Sequence, residues 1–259
     1  MSGTAMVNLL LRLSPLRPRV LLEVVRRRDF TDERLRELHA LSSALMAEDF
    51  DHFRVHARTN HVVHVFRRAD TGAIVGFQFW KTAPLALPRS LAIVGGKLRI
   101  APELRARGLH LVSGLVFLLD TKRRAPRARL YRISIASLFG FVSITEALAG
   151  YQIFDPGRRG GEEDEAVRAA FLSLAGESDF RVDEQTGLFF VGIFMTEDTL
   201  RRYPPRYFDR PAAKRYAAVN PDFRTNGCYA GFWFRFTRDN VLAMTRAIAT
   251  KLLRPAAAR

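Results

Sequence analysis

Leu98-Arg99-Ile100-Ala101-Pro102-Glu103-Leu104-Arg105-Ala106-Arg107-Gly108-Leu109-His110 runs directly into Leu111-Val112-Ser113-Gly114-Leu115-Val116-Phe117-Leu118-Leu119. The stretch reads as the end of a strand, a short basic turn containing a glycine, and an apolar helix. That order presents backbone N–H groups at a helix N-terminus, where unsatisfied donors and the helix dipole stabilise an anion. Arg105 and Arg107 flank the same point and add forked donors suited to phosphate. The segment is a candidate pyrophosphate cradle. The plainer alternative is an ordinary strand–loop–helix unit with solvated arginines on its turn.

Local signals place other elements around this turn. Residues 20–25 are expected as a first strand. Thr31 then offers an N-cap, and Leu35, Leu38, Leu41 and Leu45 recur at helical spacing, predicting a helix to residue 46. A second short helix carries Phe50, Phe53 and Val55. Residues 61–66 and 73–80 flank Asp70-Thr71-Gly72, a hairpin signal. A strand over residues 91–100 leads into the turn. After the helix come a basic linker (122–127), a strand (130–136), and a helix capped by Ser137 that runs to 148 and is ended by Gly150. Residues 151–154 read as strand. Further on, residues 157–164 form a charged loop, 165–174 a helix, and 187–195 a strongly apolar strand expected to be central. Thr196 opens a short helix that ends at Pro204-Pro205; a helix (211–219), a strand (229–236) and a last helix (238–253) follow.

The chain has 259 residues, 48% of them hydrophobic, enough for one large domain or two small ones with a real core. No stretch reaches the roughly 18 uncharged apolar residues of a membrane span. Residues 1–13 are apolar with Arg12 inside, without a basic leader or a clear cleavage site, and are expected as a packed or disordered arm rather than a signal peptide. Cys228 is the single cysteine, so no disulfide framework forms within the chain, which fits a reducing cytoplasm. It sits in an apolar run and is expected in the core rather than as a nucleophile. The net charge is +15, carried almost wholly by arginine: only Lys81, Lys97, Lys122, Lys214 and Lys251 are lysines. Such a balance favours an anionic partner without choosing among them.

The turn Arg105-x-x-Gly108-x-His110 resembles motif A of the GNAT N-acyltransferase superfamily, Gln/Arg-x-x-Gly-x-Gly/Ala at a helix start. The order of elements over residues 20–154 resembles that fold as well, and Ala147-Leu148-Ala149-Gly150-Tyr151 resembles its motif B. The resemblance implies an α/β fold with a splayed, mixed and mostly antiparallel central sheet flanked by helices. It implies an acyl-thioester-binding core at 20–155, preceded by an arm at 1–19; the extension at 156–259 is expected to complete the sheet and lid the acceptor site, or to form an extra subdomain. The co-substrate is then acyl-CoA or an acidic acyl carrier protein, and the acceptor is an amine on a small molecule, peptide or protein. Leu98, Arg99 and Ile100 would run along the pantetheine arm. Arg105, Ala106, Arg107, Gly108, Leu109 and His110 would hold the phosphates. The amine would attack the thioester directly, through a tetrahedral intermediate.

The chain departs from the family pattern in places. His110 stands where Gly or Ala is usual; its imidazole could donate to phosphate, or mark a carrier-protein donor. Counting back five residues from Tyr151 reaches Glu146, where many members have the tyrosine that protonates the leaving thiolate. Glu146 and Tyr151 are the catalytic candidates on that basis, Glu146 being equally readable as a helix-surface residue. The strand before the turn holds no Asp or Glu, so the base some members place there is missing. His52 and His56, spaced i and i+4, lack the carboxylate set of a metal site and no metal is expected; a base at the mouth of the site is the other use for them. Phe77, Phe79, Phe117, Phe139, Phe141, Phe189, Phe190 and Phe194 are expected in the core, or as walls of an acyl channel. Two rival functions are a catalytically inactive thioester sensor or scaffold, and a nucleic-acid-binding protein using Lys122-Arg123-Arg124, Arg127, Arg129, Tyr131 and Arg132.

Overall fold

The computed structural model describes residues 3–15, 18–158 and 160–253. Parts of the expected arm (1–2 and 16–17) and of the expected extension (159 and 254–259) lie outside the described residues. In chain order the elements are α1 (Gly3–Leu13), β1 (Val20–Arg26), α2 (Asp32–Ser43), β2 (Met46–Ala47), α3 (Phe50–Arg58), β3 (Val62–Arg68), β4 (Ile74–Pro84), β5 (Ser90–Ile100), α4 (Leu109–Arg124), β6 (Arg129–Ala136), α5 (Leu138–Thr145), β7 (Gln152–Ile153), α6 (Glu162–Glu177), β8 (Arg181–Val182), β9 (Leu188–Phe190), β10 (Phe194–Met195), α7 (Glu197–Arg201), α8 (Pro211–Val219), β11 (Cys228–Arg235) and α9 (Arg238–Leu253). Among the described residues no helix is long and apolar enough to cross a membrane.

Local chemistry sets several boundaries. Thr31 Oγ1 accepts from the Arg34 amide at 3.2 Å to open α2, and Asp49 Oδ1 accepts from the His52 amide at 2.8 Å to open α3. Gly72, with φ +72°, turns β3 into β4. Asn240 Oδ1 accepts from the amides of Ala149 and Gly150 at 2.9 and 3.0 Å, fixing the chain just after α5.

The strands form one large sheet in the order β1-β3-β4-β5-β6-β11-β9-β8, with β7 also on β11; β2 and β10 make a separate small ladder. All pairings are antiparallel except β5 with β6, which are parallel and joined through α4. The fold is therefore mixed α/β, with a mostly antiparallel sheet flanked by helices, as the sequence implies. Strand alternation divides the core between two faces. On one, Val7 and Leu11 of α1, Leu109, Val112 and Val116 of α4, and Leu252 of α9 pack on Leu22, Phe66 and Val75. Phe141 of α5, Tyr216 of α8 and Phe232 of β11 extend that face. On the other, Leu35, Leu38, Phe53 and Ala57 of α2 and α3 cover Phe77 and Phe79, and Phe171 of α6 covers Phe189.

The structure corrects three readings. Residues 122–124 are not linker but the last turn of α4, where cations oppose the dipole; Arg123 and Arg124 pair with Asp120, and Lys122 Nζ donates to Ala128 O at 2.8 Å. Tyr131 and Arg132, counted with the same basic stretch, are buried in the sheet, so no surface patch joins them to it. The apolar run 187–195 is not one central strand. Gly192, with φ +68°, breaks it into β9, which pairs with β11, and β10, which pairs with β2.

A buried polar junction locks α4 to the sheet. His64 Nδ1 and Ser113 Oγ are 2.9 Å apart, and Trp80 Nε1 donates to the same hydroxyl at 2.8 Å. Burial lowers the His64 pKa from its ordinary 6.5 to about 4. Between those values the unfolded chain binds the proton and the folded chain does not, so stability is full above pH 6.5 and falls as the pH drops toward 4. Denaturation midpoints measured from pH 7 to 4 should show this acid slope, with about one proton less of it in a His64→Gln chain. Equal slopes in the two chains would refute the assignment.

Candidate functional site

β5 and β6 stay paired only from Ser90 and Arg129 to Val94 and Ile133. Beyond that both strands continue without pairing to each other, β5 to Ile100 and β6 to Ala136, and a V opens between them. A bulge in β5 sits beside the opening. Phe77 faces Arg99 and Phe79 faces Gly96, so Gln78 stands opposite both Lys97 and Leu98. Lys97 takes φ +42°, rare for a side-chain-bearing residue. The bulge bends β5 and leaves backbone groups outside the ladder, facing a cavity of about 620 Å³.

The basic turn closes one end of this cavity. Ala106 has φ +61° and Gly108 φ +79°, and Gly108 is the cap residue of α4, its carbonyl accepting from the amides of Leu111 and Val112 at 2.9 and 3.1 Å. The amides of Gly108, Leu109 and His110 find no acceptor among the described residues. A side chain at 108 is disfavoured twice, by the positive φ and by Lys251, whose Cβ would lie 3.1 Å from an added Cβ. Leu98, Arg99, Ile100, Arg105, Ala106, Gly108, Leu109 and His110 all line the cavity. Arg107 does not; its amide donates to Leu104 O at 3.3 Å.

Two of these side chains do other work than expected. Arg99 Nε donates to Ser42 Oγ at 2.9 Å and Nη2 to Glu48 at 3.4 Å, so only its backbone serves the cavity. The His110 imidazole is buried with Nε2 3.0 Å from Ser143 Oγ, and burial drives its pKa to about 3. It is neutral and ties α4 to α5; a cationic phosphate donor it is not.

Glu146 ends α5 at the mouth of the cavity, with its carboxylate paired to Arg210. Tyr151 lies outside the cavity, its ring 5.6 Å from Phe141 and its hydroxyl 3.4 Å from Arg215 Nη1. The structure does not bring these two candidates together over the V. Tyrosines from the last third take that place: Tyr203 and Tyr207, just after α7, and Tyr229 of β11 all line the cavity. Burial raises the pKa of all three hydroxyls, that of Tyr229 to about 12, so each keeps its proton at neutral pH. Of the phenylalanines singled out in the sequence, only Phe139 reaches the wall, stacked on Tyr203 at 3.8 Å.

The missing acid of β5 arrives from elsewhere. Glu48, between β2 and α3, is fully buried and accepts from Lys97, from Arg99 and, at 3.3 Å, from Ser42 Oγ; its Oε1 is 3.2 Å from His52 Nδ1. Burial pushes its carboxyl up, but Lys97 and Arg99 outweigh that and hold it below its ordinary range. Burial lowers the Lys97 amine to about 8, with Glu48 offsetting part of the drop. His56 instead stacks on Phe180 at 4.9 Å, and burial takes its pKa to about 3. No group of three or more His, Cys, Asp or Glu among the described residues could hold a metal ion. Burial also raises the Cys228 thiol, away from nucleophilic use.

No protein-family model matches the chain, and no curated protein matches it. Among solved structures it is similar to the loading GNATL domain of CurA from Lyngbya majuscula, with 13% identity covering 83% of this chain and 97% of that one, at a TM-score of 0.36. It is similar to an acetyltransferase of Trypanosoma brucei (19% identity, 54% of this chain, 93% of that one, TM-score 0.34). A third is glucosamine-6-phosphate N-acetyltransferase from Arabidopsis thaliana (16% identity, 48% of this chain, 86% of that one, TM-score 0.34).

Removing Glu48 strands two buried cations, whereas removing Lys97 leaves the acid with Arg99, Ser42 and His52. Glu48→Ala should therefore cost about 3–5 kcal/mol of unfolding free energy, and Lys97→Met distinctly less. Chemical denaturation of the two variants checks the order; a costlier Lys97→Met would contradict it.

Proposed function

We propose that this chain is a GNAT-type N-acyltransferase, moving an acyl group from an acyl-thioester to an amine. The observation that carries the reading is the V between β5 and β6, opening at one end onto the uncapped amides of α4 and bordered by the β5 bulge. The donor is acyl-CoA, or acyl-phosphopantetheine on an acidic carrier protein. Amides at Gly108, Leu109 and His110 bind its phosphates, and Arg105 adds charge. Backbone groups of Leu98, Arg99 and Ile100 pair with the pantetheine arm. Bulge amides polarise the thioester carbonyl.

On this reading the amine attacks the carbonyl carbon directly, and the tetrahedral intermediate expels the thiolate. Lys97, its amine lowered to about 8, accepts the attacking amine's proton in the fraction that is itself neutral. Tyr203 or Tyr207 protonates the leaving thiolate. Residues 20–155 form the thioester-binding core; residues 156–259 close the acceptor side, through Tyr203, Tyr207 and Arg210, and residues 1–19 are the arm. With Phe139 the only one of the named phenylalanines on the wall, the acyl chain is short. We place the enzyme in the cytoplasm, in line with its single cysteine.

Thermal melting with acetyl-, octanoyl- and palmitoyl-CoA and free CoA tests the proposal. A ligand bound only by the folded state adds about 2.7 kcal/mol at a hundred times its dissociation constant. The shift should appear with acetyl-CoA, fade with chain length, and vanish in Gly108→Val. Gly108→Asn, which tolerates the left-handed backbone but crowds Lys251, should keep part of it. No shift with any thioester would overturn the CoA site.

A further inference from the structure

Arg132 enters the cavity without an acid. It belongs to β6 opposite Ile93, one residue behind the last paired residues, Val94 and Ile133, and so stands at the closed end of the V. The 105–110 turn lies at the other end of the unpaired stretch of β5, beyond Ile100. Only 4% of Arg132 is exposed. Its Nε donates to Ser134 Oγ at 2.8 Å, and its guanidinium lies over Trp80, 4.4 Å from the ring centroid. Both Nη atoms fill the space a side chain at Gly95 would need. Among the described residues neither Nη atom donates a hydrogen bond, and no carboxylate pairs with the group.

A guanidinium in this state is costly. Burial alone pulls its pKa to about 9, where an acidic neighbour would hold it up. Packing does not require the charge, since methionine would cover Trp80 as well. A planar fork with two open nitrogens at a cavity wall matches a carboxylate in bidentate geometry. A second polar group lines the same cavity. Gln78 stands two residues before Trp80 on β4 and thus on the same face; it is 2% exposed, lines the cavity, and its Oε1 has no hydrogen-bond partner. Turned over, the same amide offers an N–H to an anion.

We infer that the closed end of the V is a carboxylate-binding site formed by Arg132 and Gln78, and that the acyl donor is the half-thioester of a short dicarboxylic acid. The second clause rests on the thioester reading above. Phosphates belong to the turn at the open end, so the group reaching Arg132 is the far end of the acyl chain. A carboxylate on the acceptor, such as that of an amino acid, has the same chemistry, and the experiment separates the two.

The test compares length-matched thioesters by calorimetry: malonyl- with propionyl-CoA, succinyl- with butyryl-CoA, glutaryl- with pentanoyl-CoA. In at least one pair the acid should bind about tenfold or more tighter, the worth of a charge-assisted hydrogen bond. Arg132→Met should abolish the preference while melting at or above the wild-type temperature, because a lone buried charge has been removed. Arg132→Lys should retain part of the preference as a point charge. Equal binding within every pair overturns the donor assignment and leaves the thioester reading standing. Binding of glycine or glutamate, but not of their amides, to the CoA-loaded wild type and not to Arg132→Met would support the carboxylate site while moving it to the acceptor. If no thioester binds at all, the underlying reading fails. Free glutarate then decides the site: stabilisation of the wild type but not of Arg132→Met supports it, and no stabilisation overturns it.

Discussion

The parting of β5 from β6 is the constraint on which the rest of the molecule depends. Two neighbouring strands that stop pairing leave backbone donors and acceptors without partners, and buried groups of that kind are expensive. Each strand is held in place by something other than its former partner. On the β5 side the bulge at Lys97 and Leu98 turns the strand outward and is pinned from behind by Glu48, which holds Lys97 and Arg99 together. On the β6 side β11, from the C-terminal third, pairs with the opposite edge of β6 from Tyr131 to Ala136 and keeps that strand in the sheet, while the edge facing β5 stays open to the cavity. The sheet is thus continuous at the base of the V and open at its top.

The geometry explains what was and was not readable along the chain. The turn at Gly108 was legible because its demands are local: a positive φ and an N-terminal helix cap fall on one residue. The same holds for the cap at Thr31 and the hairpin at Gly72. Long-range choices were not legible. Glu48 lies about fifty residues before Lys97, and periodicity cannot say that the two meet. Arg132 looked like one member of a basic run, yet its neighbours Arg123 and Arg124 are solvated on α4 while it is buried inside the sheet. The run 187–195 read as one strand because apolarity carries no record of partner; a single left-handed glycine divides it between two sheets.

Charge has to be resolved in the same way. A net charge of +15 suggests a uniformly basic surface, but part of it is gathered around one cavity, by Lys97, Arg105, Arg132, Arg206, Arg210 and Lys251. Among the described residues the wall carries one acid, Glu146, and Arg210 neutralises it. A cavity of that composition concentrates anions. Two anchors of different kind, the backbone amides of α4 at the open end and a buried guanidinium at the closed end, favour an extended anionic ligand lying along β5 over a compact one.

The same field bears on an amine acceptor, which arrives from water as a cation and must lose a proton before it can attack. Lys97 reports what the site does to such a group. It is a primary amine beside the V, and burial lowers its pKa from 10.5 to about 8 even with Glu48 alongside. Arg99 contributes to that drop by repulsion. An acceptor amine desolvated beside the same cations is subject to the same two forces without a carboxylate of its own. On the acyl-transfer reading, a cavity that draws in an anionic donor therefore also favours the neutral form of an amine acceptor. On the same reading, that lessens the need for the strong base that β5 lacks: proton loss is driven by the environment, and a neutral Lys97 only has to receive what the site already expels.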